Sequence, residues 1–367
     1  MNILYIVSGI NSFGGIESFC KNVVPLIDMD KYHIDFLITQ NEPIGEMDRI
    51  YSDLGCKIYR LDSSGGVFKR VKKKKQLFKS LTDKYDIVHI HTVFTTAYYF
   101  AKLAHKYAKA KVIVHSHIAS DYSFKSKIIN NLARRNLCKF ADLAMGCSAN
   151  SAVFLFGRKV GGQATIINNG INLREFEFNQ SVREKMRREM HISEDCFIMG
   201  TIGRMSPQKN LLYLIDIFYA FRTLNTNVKL LLVGDGACRE SLENRVNELK
   251  ISDDVIFTGA RKDVVNMLNL MDCFVLPSFF EGLAISAVEA QANGLVCFIS
   301  DTVTKDIDIS KRNVFLNINR DAAEWACAIQ NTDCERVNNT ELLSASGFSA
   351  NQSVKRLLEV YDKLMQK

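Results

Sequence analysis

An α/β protein built from two doubly wound, parallel-sheet units is what the sequence predicts, and three observations lead there. Apolar, β-rich segments alternate with helix-like ones along all 367 residues, a pattern that calls for parallel strands joined by crossover helices. The strand segments are apolar throughout instead of alternating with polar residues, as in sheets covered on both faces. The length exceeds what one ordinary core organises and suits two domains.

In the first half the strands are "NILYIVS", "HIDFLIT", "KIYRL", "DIVHIH", "KVIVHSH", "DLAMGCS" and "ATIINNG". Helical spacing of apolar residues falls between them at 18–27, 67–84 and 96–109. In the second half the strands are "FIMGTIGR", "VKLLLVGDG", "VIFTGA", "CFVLPS" and "LVCFIS", with helices near 211–223, 239–250, 264–271 and 284–292. A polar stretch at about 168–191 separates the two series. The expected organisation is a first domain over 1–175, a second over 190–347, and a terminal helix, "SVKRLLEVYDKLM", within 348–367. In doubly wound sheets, ligands sit beyond the carboxyl ends of the strands.

The hydrophobic share of 47% and the charged share of 24% are those of a soluble globular chain. There is no apolar run of about 18 residues to cross a membrane. The opening "MNILYIVSGINSFGG" has no basic segment before its apolar one, so no signal peptide is expected. The ten cysteines are scattered singly without a C-x-x-C pair, which points to reduced thiols and a cytoplasmic setting.

The net charge of +7 is locally concentrated. Residues 68–81 set Lys69, Arg70, Lys72, Lys73, Lys74, Lys75 and Lys79 among Phe68, Val71, Leu77, Phe78 and Leu81. One reading is a solvated helix face. The other is a basic helix resting on an anionic membrane surface, where each cation near the lipid adds about 1 kcal/mol. No nucleic-acid motif accompanies the patch, so no nucleic-acid partner is expected.

Four stretches carry candidate chemistry. After the first strand, Gly14 and Gly15 precede a helix and let backbone amides approach a phosphate. The G-x-G-x-x-G fingerprint of dinucleotide dehydrogenases is missing. In "TIGRMSPQKNLLYLI", Arg204 follows a buried strand and Lys209 stands at the mouth of the next helix, two cations suited to a diphosphate. In "SFFEGLAISAVEA", Glu281 precedes and Glu289 lies within an apolar helical run. An unpaired buried carboxylate is costly, so both acids need donors, supplied either by neighbouring backbone or by the hydroxyls of a ribose and of a sugar. His89, His91, His115 and His117 end adjacent strands. With no cysteine or carboxylate cluster beside them, the sequence favours hydrogen-bonding histidines lining a cleft over a metal site, with His117 foremost. The D-x-D pairs Asp28/Asp30 and Asp306/Asp308 read as chance matches.

Taken together, "GGIES" at 14–18, "VHSH" at 114–117, "NNGIN" at 168–172, "GRMSPQKN" at 203–210, "VGDG" at 233–236 and "EGLAISAVEA" at 281–290 resemble the retaining glycosyltransferases of the GT-B fold. The likeness is greatest to glycosyltransferase family four, whose bacterial members build capsular and exopolysaccharides. The resemblance implies two Rossmann-like domains with parallel sheets facing across a cleft, the first for the acceptor and the second for the nucleotide-sugar. It implies that Arg204 and Lys209 hold the donor diphosphate, assisted by Gly15 and the amides of Gly282, Leu283 and Ala284. Glu289 would bind the ribose, Glu281 the donor sugar, and His117 would lie near the reacting carbon and the acceptor. The stretch "VIFTG" at 255–259 would lie near the base.

The implied reaction moves a hexosyl unit from a nucleoside diphosphate sugar, a UDP-sugar foremost, to a hydroxyl of a saccharide or lipid-linked saccharide. It retains the anomeric configuration and uses no metal or other cofactor. The family often places Gly-Phe-Gly or Gly-Phe-Pro after the first glutamate; here Gly282–Leu283–Ala284 stands instead, which leaves donor choice open. Two alternatives remain at this point: a nucleotide-sugar epimerase of the same shape, and a non-catalytic, membrane-associated partner of a polysaccharide assembly complex.

Overall fold

The computed structural model describes residues 1–11, 14–61, 67–92, 94–117, 134 and 136–366. They divide into two compact units, one of Met1–Ile171 with Ser349–Lys367 and the other of Asn172–Phe348.

The first unit is organised on a seven-stranded parallel sheet of β1 (Asn2–Val7), β2 (His33–Ile38), β3 (Ile58–Arg60), β4 (Ile87–Ile90), β5 (Lys111–Ser116), β6 (Leu143–Gly146) and β7 (Thr165–Ile166). Their spatial order is β3-β2-β1-β4-β5-β6-β7. The strands β1, β2, β4 and β5 are buried over almost their whole length because helices cover both faces. On one face Ile3, Tyr5, Ile34 and Phe36 pack with Phe19 and Val23 of the helix Gly15–Val23. The C-terminal helix Ala350–Met365 adds Val354, Leu357, Tyr361 and Leu364 to the same core, residues spaced to form one helical stripe. Tyr361 and Tyr5 join hydroxyl to hydroxyl at 2.8 Å, which satisfies both polar tips inside the core.

The lysine-rich segment forms the helix Val67–Leu81. The side chains of residues 67–70, including Phe68, Lys69 and Arg70, lie outside the described residues. Phe78 and Leu81 are buried in the core on the sheet's other face, with Phe78 against Phe100. These two apolar residues of the helix are therefore taken up by its own unit. Lys72 and Lys75 remain outward, and Lys75 and Lys79 lie over the Tyr107 ring.

The second unit has a six-stranded parallel sheet of β8 (Phe197–Ile202), β9 (Val228–Val233), β10 (Val255–Gly259), β11 (Cys273–Leu276), β12 (Val296–Ser300) and β13 (Val314–Leu316), in the order β10-β9-β8-β11-β12-β13. The edge strand β13 escapes sequence reading because its three residues, Val-Phe-Leu, are too short for any period to show. The polar stretch before β8 is not a linker throughout. It contains the helix Gln180–Glu189, capped by the Asn179 side chain. Arg183 and Arg187 of that helix both bind the Asp272 carboxylate and collect carbonyls at the end of the helix Val264–Leu270. A helix secured by ion pairs instead of an apolar stripe leaves little periodic signal.

All ten cysteines are free thiols. No helix among the described residues is long and apolar enough to cross a membrane.

Candidate functional site

In each sheet the chain winds outward in one direction and then, from a central strand, in the other. The reversal lies between β8 and β11 in the second unit and between β1 and β4 in the first. At such a switch point, loops leave neighbouring strands in opposite senses and open a crevice at the carboxyl edge.

In the second unit, β8 and β11 are hydrogen-bonded neighbours, so the loop after Ile202 and the loop after Leu276 emerge side by side. The first of these is laced to the end of β9: the Gly203 amide donates to Val233 O and the Met205 amide to Asp235 O. Backbone packs directly on backbone here. A Cβ at Gly234, where φ is +136°, would meet Gly203 O at 2.0 Å, which is why "VGDG" carries glycine at that point. Pro207–Lys209 then forms a single 3₁₀ turn, and Asn210, at φ +53°, starts the helix Leu211–Leu224. Lys209 is aimed back over Gly203, whose missing side chain leaves room for the lysine stem.

Its ammonium meets Glu281, with Lys209 Nζ 2.8 Å from Oε1 and both side chains largely buried. Ser278 Oγ donates to the same oxygen at 2.7 Å, and Gln208 Nε2 donates to Oε2 at 3.2 Å and to Phe280 O at 2.8 Å. The Phe279 amide donates to Gln208 O at 2.9 Å. Two loops more than 70 positions apart in the chain are thus stitched together around one carboxylate. Gln208 and Ser278 are the partners that sequence reading passed over. Their signal was position alone, one residue before Lys209 and three before Glu281.

Gly282 and Leu283 lie in the bend before the helix Ile285–Ala292, with Ala284 as its N-cap. The helix starts later than Glu281, so Glu289 stands about one turn inside it, half-buried. Arg204 is exposed on the loop between Gly203 and the 3₁₀ turn. The segment 255–259 is β10, two strands from the switch point.

In the first unit, His117 follows β5 directly and is 6% exposed. Its carbonyl lies close to Gly15, and Asn169 Nδ2 donates to Gly15 O at 3.1 Å. Asn169 belongs to the "NNGIN" stretch, so three separated motifs converge there. Residues 118–133, which hold the polar loop after His117, lie outside the described residues.

His89, His91 and His115 do not line an open surface; all three are fully buried. The parallel register pairs His89 with Ile113 and Ile90 with Val114, and strand residues two apart share a face. The four rings therefore gather on one side of the sheet, beneath Phe19 and beside Tyr5. Burial pushes the imidazoles of His89, His91 and His115 well below their ordinary pKa. It takes His117 down to about 3. All four are neutral near pH 7, so His117 can offer or accept a hydrogen bond but holds no positive charge.

Residues 182–331 match the family "Glycosyl transferases group 1". Along nearly its whole length the chain is similar to EpsF of Bacillus subtilis (strain 168), named as a glycosyltransferase. The two are 29% identical over 373 residues, covering 98% of this chain and 96% of EpsF. It is 25% identical over 306 residues to the UDP-Gal:alpha-D-GlcNAc-diphosphoundecaprenol alpha-1,3-galactosyltransferase of Escherichia coli, covering 78% of this chain and 76% of that one. Among solved structures, HepE of Anabaena in complex with UDP and glucose superposes with a TM-score of 0.81. That match has 16% identity and covers 98% of this chain and 99% of the other. The two parallel sheets are those of the GT-B fold.

Proposed function

We propose, for a chain whose residues 182–331 belong to the group 1 glycosyl transferases, a retaining hexosyl transfer from a nucleoside diphosphate sugar to a hydroxyl in polysaccharide biosynthesis. The observation that carries the reading is the Lys209–Glu281 contact at the switch point of the second sheet. An ammonium and a carboxylate are held together there by Ser278 and Gln208. The ammonium suits a diphosphate and the carboxylate suits sugar hydroxyls.

In this reading Lys209 and Arg204 neutralise the diphosphate, with the amides of Gly282, Leu283 and Ala284 and with Gly15 assisting. Glu289 takes the ribose hydroxyls and Glu281 the donor sugar. His117, neutral and buried, serves the acceptor side by hydrogen bonding and not as a cation. The departing diphosphate is stabilised by fixed positive groups, which is the larger share of catalysis in a reaction without a covalent nucleophile. These groups take the place of a metal at the diphosphate. A UDP-sugar is the donor favoured, since HepE is described with UDP and glucose and the Escherichia coli relative is named for UDP-Gal. The latter's name also supports a lipid-linked saccharide as acceptor.

The test is a panel of UDP- and GDP-sugars scored by thermal shift, followed by transfer to a saccharide acceptor with NMR of the new linkage. One donor should raise Tm, and the product should keep the donor's anomeric configuration. Interconversion of the free nucleotide-sugar with no acceptor present would establish the epimerase instead. Failure of every nucleotide to bind would leave the chain a non-catalytic assembly partner.

A further inference from the structure

Three of the four buried histidines of the first unit have no role in the proposed glycosyl transfer. His89 on β4, His91 just after β4 and His115 on β5 each bring a ring nitrogen to within 4.8 Å of the other two. Their second contacts are specific. His89 Nδ1 lies 2.7 Å from the Tyr361 hydroxyl, and His91 Nδ1 lies 3.0 Å from His117 Nε2. These fix two rings by their Nδ1 atoms; among the described residues Nε2 of each is without a partner, and so are both nitrogens of His115.

An unpartnered buried polar atom is destabilising, and four occur on three adjoining rings. Apolar residues would fill the same volume without that cost. A metal-binding histidine typically has its other nitrogen held by an outer partner that fixes the ring's orientation, and Tyr361 and His117 stand in that position. Burial also keeps the rings neutral, so their lone pairs are available at pH 7.

We propose that His89, His91 and His115 bind one zinc ion inside the first unit. Imidazole nitrogens suit late first-row divalent ions. Zinc–nitrogen bonds of about 2.0–2.1 Å in a tetrahedral array place the nitrogens roughly 3.4 Å apart. The rings reach that spacing by closing a little over an ångström, through side-chain rotation. The fourth position falls to a solvent hydroxide, whose charge reduces what must be buried. The ion's role is structural: it ties β4 to β5 and, through Tyr361, the C-terminal helix to the sheet. Its ligands are none of the groups assigned to donor or acceptor, and His117, as the partner of His91, is the one residue it shares with the proposed transfer.

The test uses the full chain, stripped with a chelator and titrated with cobalt(II) as a spectroscopic probe and with zinc. The expected result is one equivalent bound, with the visible bands of a tetrahedral site. At 100-fold excess over Kd, Tm should rise by about 5 °C, equally with and without UDP. His115→Phe keeps a ring of similar size and should abolish both effects. Should that variant not fold, zinc-edge absorption of the loaded wild type takes its place and should show three nitrogen ligands at about 2.0–2.1 Å. Absence of uptake by the wild type, sulfur in the zinc shell, or unchanged uptake by a folded His115→Phe would each overturn the proposal.

Discussion

Lys209 Nζ stands 2.8 Å from Glu281 Oε1 across the gap between the loops that follow β8 and β11. The carboxylate is held on three sides, by Lys209, Ser278 and Gln208. Removing the lysine therefore does not leave it unpartnered, and the usual loss of about 3–5 kcal/mol for a broken buried pair is reduced. Lys209→Ala should lower Tm by only a few degrees yet reduce transfer by roughly 100- to 1,000-fold, the scale of losing one charge-stabilising donor. Glu281→Gln keeps an oxygen for Lys209 and should fold normally while losing sugar recognition. Wild-type turnover in both purified variants would end the assignment of this pair to the donor.

How far the sequence could be read depended on what each residue's signal was. Buried strands such as Phe197–Ile202 announce themselves by continuous apolar composition, and Lys209 and Glu281 by their places after strands. Tertiary register was not legible. His-x-His on one strand says nothing about a neighbour, and only the pairing of His89 with Ile113 stacks four rings on one face. The helix Gln180–Glu189 hid for a related reason, since Arg183 and Arg187 secure it through Asp272, about 90 residues later. Ser278 and Gln208 are polar loop residues whose role exists only once two loops meet.

Glycine at 234 and glycine at 259 make a controlled comparison. Both have positive φ, +136° and +69°. A Cβ at Gly234 would sit 2.0 Å from Gly203 O, whereas nothing lies within 4 Å of one at Gly259. Gly259→Ala should cost only the left-handed backbone term, about 1–2 kcal/mol. Gly234→Ala must also push apart the β8 and β9 loops that place Lys209. It should cost more than about 3 kcal/mol and weaken donor binding in whatever protein still folds. Urea unfolding of the two variants side by side checks the order, and equal losses would show that the backbone contact is not tight.

Four buried histidines make the first unit sensitive to acid. Folding lowers each ring's pKa, His117 from 6.5 to about 3, so the unfolded chain binds more protons as pH falls below about 6.5. Their contribution is complete above that pH and is lost as pH drops toward the folded values, by up to about 1.4 kcal/mol per pH unit for each ring. The second unit contains a single histidine, the exposed His191. With chelator present, hydrogen exchange corrected for intrinsic rates should show the first unit opening by pH 5.5 while the second stays protected. Uniform loss of protection in both units would place the acid-sensitive groups elsewhere.

The helix Val67–Leu81 bears on membrane association. Phe78 and Leu81 are spent in the unit's own core, so neither is open to insertion into lipid. What remains outward among its described side chains is charge, on Lys72 and Lys75, with Val71 an exposed apolar residue. Any attraction to anionic lipid is then electrostatic, about 1 kcal/mol per cation, and screened within roughly 8 Å at physiological salt. Vesicles containing anionic lipid should bind the protein at low salt and release it as salt rises. Lys72→Glu together with Lys75→Glu should remove the binding, while Val71→Ser should leave it unchanged. Binding that persists at high salt, or that depends on Val71, would point to an apolar anchor and overturn the electrostatic reading.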